Sequence, residues 1–353
     1  MSNIDPTGEP VASRKTVSVD FALQGGGSHG AFTWGVLDRL LEEPWLKIDG
    51  ISGTSAGAMN AAVMADGFTA GGAAGAREAL NRYWRYVADA ARFSPFQRSP
   101  LDRMMGRWTL DHSPLFVGMD IMSRLFSPYD LQARGANPLR AILEELIDFE
   151  RLKQSPIKLF ISATNVRTGR VRVFRNGEIT PDVLLASACL PTMFQAIEID
   201  GEAYWDGGYS GNPTLTPLVC ECDSMDTILV PINPVSRPGK PVTARDILNR
   251  LNEISFNAVA LKELRMMALL RQVANNANAG DSEGMRWAKM RVHLVRNDIM
   301  ETLGYSSKLN AEWDFLSMLR DEGRKSADAF VEANADQIGV ASTFDIDRLL
   351  DMA

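Results

Sequence analysis

Two tight turns, each set between an apolar strand and an apolar helix, constrain this chain most. Residues 17–24, VSVDFALQ, are apolar and β-branched and read as a strand. GGGSHG follows at 25–30, and 31–43 then places Trp34, Leu37, Leu40 and Leu41 on one helical face. A second unit comes at once. Residues 47–52 read as a short strand, 53–57 are GTSAG, and an Ala- and Met-rich helix occupies 55–65.

The alternation continues. After a Gly/Ala-rich turn at 67–76, residues 76–91 read as a helix, and 138–152 as another. Strands are expected at 157–165, 171–175, 227–233 and 291–295, and helices at 182–188, 244–277 and 310–335. No internal repeat is present. The pattern predicts an α/β fold with a mainly parallel central sheet covered by helices. Residues 93–137 break it with prolines and large apolar groups, among them Phe93, Phe96, Trp108, Phe116 and Phe126. They read either as a lid or acyl-chain channel, or as core covering the sheet.

With 353 residues the chain can bury a large core, and 45% apolar with 23% charged residues suits a globular protein. A net charge of -7 argues against a nucleic-acid partner. The three cysteines, Cys189, Cys220 and Cys222, suggest neither a disulfide framework nor a zinc site. There is no calcium-loop pattern, and no metal or cofactor is expected. Residues 1–16 read as a flexible polar tail, not a signal peptide, and no apolar run reaches the roughly 18 residues of a spanning helix. A cytoplasmic location, with peripheral contact at a membrane, is expected.

Gly25, Gly27 and Gly30 fit the dinucleotide-binding spacing G-x-G-x-x-G. That reading wants an acidic residue about 20 positions on, at the end of the second strand. Asp49 is in range but stands early in its strand, which leads straight into the turn carrying Ser55. Gly53-Thr-Ser-Ala-Gly57 matches the nucleophile elbow, a strained strand-to-helix turn that projects a serine at a helix N-terminus. Successive N–H groups at Gly25, Gly26 and Gly27 can then serve as an oxyanion hole. Asp206, followed by Gly207 and Gly208, is a candidate base, although an Asx-type turn explains Asp-Gly equally.

These blocks together resemble the patatin-like phospholipases: Gly25-Gly-Gly-Ser-His-Gly30, Gly53-Thr-Ser-Ala-Gly57 and Asp206-Gly-Gly208, with a looser Ala186-Ser-Ala-Cys-Leu-Pro191. The resemblance spans about residues 18–235. It implies a three-layer α/β/α hydrolase fold and a lipid acyl hydrolase with a Ser–Asp dyad. Ser55 is then the nucleophile, Asp206 the base, and Gly25, Gly26 and Gly27 the oxyanion hole, with Gly30, Gly53, Gly57, Gly207 and Gly208 shaping the turns. It also implies a lipid or acyl-ester substrate. On this reading 17–235 is the catalytic domain, and 236–353 is a mostly helical part packed on it.

A Ser-His-Asp triad is the mechanistic rival, since Ser55, Asp206 and His293 follow the usual hydrolase order. His293 lies inside a predicted strand, whereas a catalytic histidine needs a loop position over the serine. His112 falls in the irregular segment and His29 in the glycine loop. Arg82, Arg85, Arg98, Arg103 and Arg107 surround 93–137 and read as lipid-phosphate contacts or as solvated helix faces. A catalytically silent lipid-binding protein and a nucleotide-binding oxidoreductase are the other function classes.

Overall fold

The computed structural model describes residues 14–351 except 93, 95, 131–136 and 277–282. Residues 1–13 of the expected tail and Phe93 lie outside the described residues. The strands are β1 (Val17–Leu23), β2 (Leu46–Gly53), β3 (Lys158–Asn165), β4 (Val171–Arg175), β5 (Ile197–Ile199), β6 (Glu202–Asp206), β7 (Asp226–Val230) and β8 (Arg291–Leu294). They form one sheet in the order β5-β6-β3-β2-β1-β7-β8, with β4 paired to β3. The run β3-β2-β1-β7-β8 is parallel, and β4, β5 and β6 join antiparallel.

Alternate side chains of the strands feed opposite faces, as the two-residue period of a strand requires. Phe21, Leu23, Ile51, Ile161, Ile228 and Val230 belong to the larger core. Ala22, Phe160, Leu229 and Val292, one place out of step, belong to the smaller. The helices Gly30–Leu40, Ala56–Ala91 and Trp313–Asn334 fill the first layer, and Ala244–Asn276 with Glu283–Lys289 the other. This is the expected three-layer α/β/α arrangement. The last third of the chain is part of it: β8 extends the sheet, and Trp313–Asn334 crosses Gly30–Leu40. The crossing is tight because a Cβ at Gly35 would overlap the Arg320 carbonyl, and one at Gly323 the Phe32 carbonyl.

Several elements differ from the sequence reading. Ala56–Ala91 is two helices that meet at Gly71 and Gly72, within the expected Gly/Ala-rich turn, and each runs closer to that turn than the sequence reading placed it. The two fold back on each other, and Trp84 Nε1 donates to Asn60 Oδ1 at 2.9 Å. The expected helix at 138–152 is two, Pro138–Leu146 and Phe149–Lys153, because the Asp148 side chain caps the second. The segment 93–137 contains the helices Pro100–Met104 and Pro114–Leu125, each opening on a proline at its first turn. The sequence reading has no counterpart of β5 and β6: at three and five residues, with Glu198 inside the first and Glu202 and Asp206 at the ends of the second, they are too short to show a period.

Candidate active site

β2 ends at Gly53, and the helix Ala56–Ala91 begins three residues later. Ser55 makes the corner at φ 53° and ψ -122°, a conformation that costs an L-residue on the order of 1–3 kcal/mol. The surroundings over-determine it. Ser55 N–H donates to Ser187 Oγ at 2.9 Å, and Ser187 Oγ donates to the Ser162 carbonyl at 2.7 Å. Gly57 N–H bonds the Thr54 carbonyl at 2.8 Å. A Cβ at Gly57 would overlap the Leu23 carbonyl, so the helix can lie this close to β1 only with glycine there. The looser sequence block 186–191 thus has a structural purpose: its serine braces the elbow.

Asp206 closes β6 and meets Ser55 through the sheet. β4 pairs with 160–164 of β3, so it occupies one edge of that strand throughout. β2 and β6 therefore share the other edge, with Gly53 opposite Ile161 and Asp206 opposite Ala163. Where β2 turns away into the elbow, β6 takes its place. Asp206 Oδ1 accepts from Gly208 N–H at 2.7 Å, the Asx-type turn that Asp-Gly allows. The turn and proximity to Ser55 coexist. Burial pushes the Asp206 carboxyl up to about 7, against the pull of the Gly208 amide, a hydrogen bond from the Ser55 hydroxyl and the positive Lys308.

The glycine loop starts at the end of β1 and runs above this pair. Gly25 is clamped at both ends of its peptide. Its N–H donates to Asn212 Oδ1 at 2.6 Å, and its carbonyl accepts from Asn233 Nδ2 at 2.7 Å. Gln24 Oε1 accepts from the Ile232 and Asn233 amides at 2.9 and 3.0 Å, and Gln24 Nε2 donates to Asn257 Oδ1 at 2.9 Å. Gly26 and Gly27 differ: among the described residues, neither amide has a protein acceptor. Gly27 has φ +58°, and a Cβ there would strike the Lys308 carbonyl.

Ser55, Asp206, Gly26 and Gly27 line one end of a cavity of about 290 Å³. The other walls are apolar, including Met59, Trp84, Phe96, Leu139, Met193 and Phe256. Lys308 lies at the polar end, 8% exposed. The sequence reading gave no role to Lys308, Asn212, Asn233 or Ser187: each reaches the site from a distant segment, and Lys308 and Asn233 carry no local motif. The available signals were the nearness of Asn212 to Asp206-Gly-Gly208 and the place of Ser187 in the 186–191 block.

The remaining candidates go elsewhere. His293 is fully buried in β8, with Nε2 2.9 Å from Asp226 Oδ1 and Nδ1 3.0 Å from Thr343 Oγ1. His112 is tied to Asp102 at 2.9 Å, and the His29 ring to Ser307 Oγ at 2.8 Å. Asp49 accepts from the Ser224 amide at 3.1 Å and also from that of Asp223, early in β2 and away from the glycine loop. Its carboxylate, Asp20 and Cys222 are mutually close enough to share an ion, but Asp20 and Asp49 stand midway along β1 and β2, whereas Ser55 follows the C-terminal end of β2. Arg98 pairs with Glu312 at 2.7 Å and stacks on Trp108, and Arg85 stacks on Trp313. Both are engaged in packing.

No curated protein matches the chain. Solved structures that resemble it include two bacterial proteins. VipD from Legionella pneumophila is 16% identical, with 94% of this chain and 70% of that one covered and a TM-score of 0.40. The ExoU–SpcU complex from the type III secretion system of Pseudomonas aeruginosa is 16% identical, covering 93% and 77%, with a TM-score of 0.28. The family model for patatin-like phospholipase matches residues 21–219, the span that holds the elbow, the glycine loop and the Asp206 turn. With over half its length matched, the chain belongs to the patatin-like phospholipase family.

Proposed function

We propose that the protein is a lipid acyl hydrolase that cleaves carboxylic esters through an acyl-serine and a Ser55–Asp206 dyad. One observation carries the reading: a strained, braced serine and a fully buried carboxylate line the same apolar cavity. Ser55 Oγ attacks the ester carbonyl as its proton passes to Asp206. The free amides of Gly26 and Gly27 then hold the oxyanion. Gly25 has a different part, because its amide is already bonded to Asn212 and its clamped peptide sets the direction of the next two. The proton on Asp206 goes to the leaving alcohol. Water then enters and attacks the acyl-serine as its proton passes to Asp206, and Asp206 returns that proton to Ser55 Oγ as the acid leaves.

A carboxylate is a weak base for a serine, so its site must help. Burial raises the basicity of Asp206 toward neutrality. The helix behind Ser55 and the fixed amides add charge stabilisation that needs no reorganisation.

Leu101, Met104, Leu115, Leu125 and Phe126 of the segment 93–137 are all at least 45% exposed. An apolar patch of this kind beside an apolar cavity fits peripheral docking on a lipid surface. No helix among the described residues is long and apolar enough to cross a membrane. The test is hydrolysis of short-chain nitrophenyl esters and of phospholipid vesicles. Wild type should cleave both and Ser55→Ala neither; normal turnover by Ser55→Ala would sink the proposal.

A further inference from the structure

Lys308 is a buried ammonium that no carboxylate contacts directly among the described residues. It is 8% exposed, and its Nζ donates to Asn233 Oδ1 at 2.6 Å. Asp206 and Glu253 act on it only through space. The groups around it do not cancel its charge. Glu253 is already held by Arg237 at 2.7 Å and Arg250 at 3.1 Å. Counting Lys308, Arg237 and Arg250 against Glu253 and an ionised Asp206 leaves the region one positive charge in excess. His29 and Tyr305 also face this space, and burial keeps both neutral.

The ammonium is also well placed. Asn233 Oδ1, its acceptor, lies 3.7 Å from where a Gly26 Cβ would stand. Nζ is 5.4 Å from the Tyr305 ring centre and 6.0 Å from that of Phe256, and both rings line the cavity of Ser55. Tyr305 is shared with a second, polar cleft lined by Arg237, Lys240 and Arg250 and by the carboxylates of Asp246 and Glu253, which leaves the cleft one positive charge in excess. An uncompensated buried charge is costly, and a bound anion removes the cost. An ammonium with N–H groups to spare is a good point-charge ligand for phosphate.

We propose that Lys308 binds the phosphate of a phospholipid whose acyl ester lies at Ser55, with the head group running past Tyr305 into the polar cleft. The inference rests on the Ser55–Asp206 reading for the ester and on the charge arrangement for the phosphate. It makes Lys308 the residue that selects a phosphate-bearing lipid over a neutral glyceride.

Two arms separate these supports. In the first, kcat/KM is measured for dioctanoylglycerol phosphate and for dioctanoylglycerol with wild type, Lys308→Gln and Lys308→Arg. Gln keeps a donor for Asn233 without the charge. The phosphate-to-neutral ratio should fall at least tenfold in Lys308→Gln, mainly through KM, and recover in Lys308→Arg. An equal loss on both substrates would overturn the proposal and make Lys308 a support of the loop. In the second, calorimetry follows dodecyl phosphate and inorganic phosphate binding in a Ser55→Ala background. Dodecyl phosphate should bind, and at least tenfold more weakly once Lys308→Gln is added. Equal affinity for inorganic phosphate, or no effect of Lys308→Gln, would overturn it. Wild type that hydrolyses no ester but binds dodecyl phosphate through Lys308 would remove the hydrolase reading and leave the phosphate site standing.

Discussion

The Gly25 amide donates to the Asn212 side chain at 2.6 Å, and Asn212 stands six residues beyond Asp206. The segment that supplies the carboxylate therefore also aims the glycine loop. Both bonded atoms are buried, so removing the acceptor leaves a donor unpaired. Asn212→Ala should cost about 1–3 kcal/mol in denaturant unfolding. Ester turnover should drop about 10–100-fold, as loss of preorganised charge stabilisation does. Turnover at the wild-type level would show that the loop needs no clamp.

Asp206 gives the enzyme a pH profile. Its carboxyl is raised to about 7 by burial, and only the ionised form accepts the serine proton. The kcat/KM for a neutral ester should rise tenfold per pH unit below about 7 and level off above it. A profile flat from pH 5 to 8 would contradict the assignment.

The same carboxyl weakens the fold as pH rises. With its pKa raised on folding, the unfolded chain ionises first, so stability is lost from the ordinary carboxyl range near 4 up to about 7. Asp206→Asn retains an acceptor for Gly208 N–H without the charge. Its gain in melting temperature over wild type should grow between pH 4 and 7, to several degrees, and stay constant above. Thermal scans across that range check the sign.

Ser55 stores strain that glycine would release. At φ 53° and ψ -122° an alanine keeps the strain and a glycine does not. Both variants should be inactive, yet Ser55→Gly should melt at or above Ser55→Ala. The gap should be about 1 kcal/mol or more in unfolding free energy.

His293 should matter to the fold and not to the chemistry. It bonds Asp226, which that contact and Arg291 hold down at about 2. His293→Ala should lose about 1–3 kcal/mol of stability, while kcat of the folded variant stays within a few-fold of wild type. A loss of turnover matching that of Ser55→Ala would restore the histidine triad.

The apolar helices of 93–137 should couple to lipid surfaces. Replacing exposed Met104, Leu115 and Leu125 by serine should weaken vesicle binding and long-chain hydrolysis at least tenfold, with soluble short-chain esters cleaved normally. Co-sedimentation with vesicles measures the first directly, and unchanged binding would assign the patch another role.

The sequence disclosed what local rules encode. The glycine spacings fixed the two turns because close backbone approach at Gly57 and positive φ at Gly27 leave few alternatives. Asp206 could be named from its turn, but its neighbourhood could not: β6 is five residues with Glu202 and Asp206 at its ends, too short for a period to emerge. Lys308 and Asn233 were illegible for a different reason. They are 75 residues apart and meet only after β7 and the segment following β8 converge on the glycine loop. Contacts that depend on where the chain returns leave no trace in local spacing.

The most direct measurement is labelling by a fluorophosphonate, with the modified residue mapped by mass spectrometry. Wild type should carry the label on Ser55, Asp206→Asn should label far more slowly, and Ser55→Ala should not label. Labelling at another serine, or undiminished labelling in Asp206→Asn, would contradict an activated Ser55 paired with Asp206.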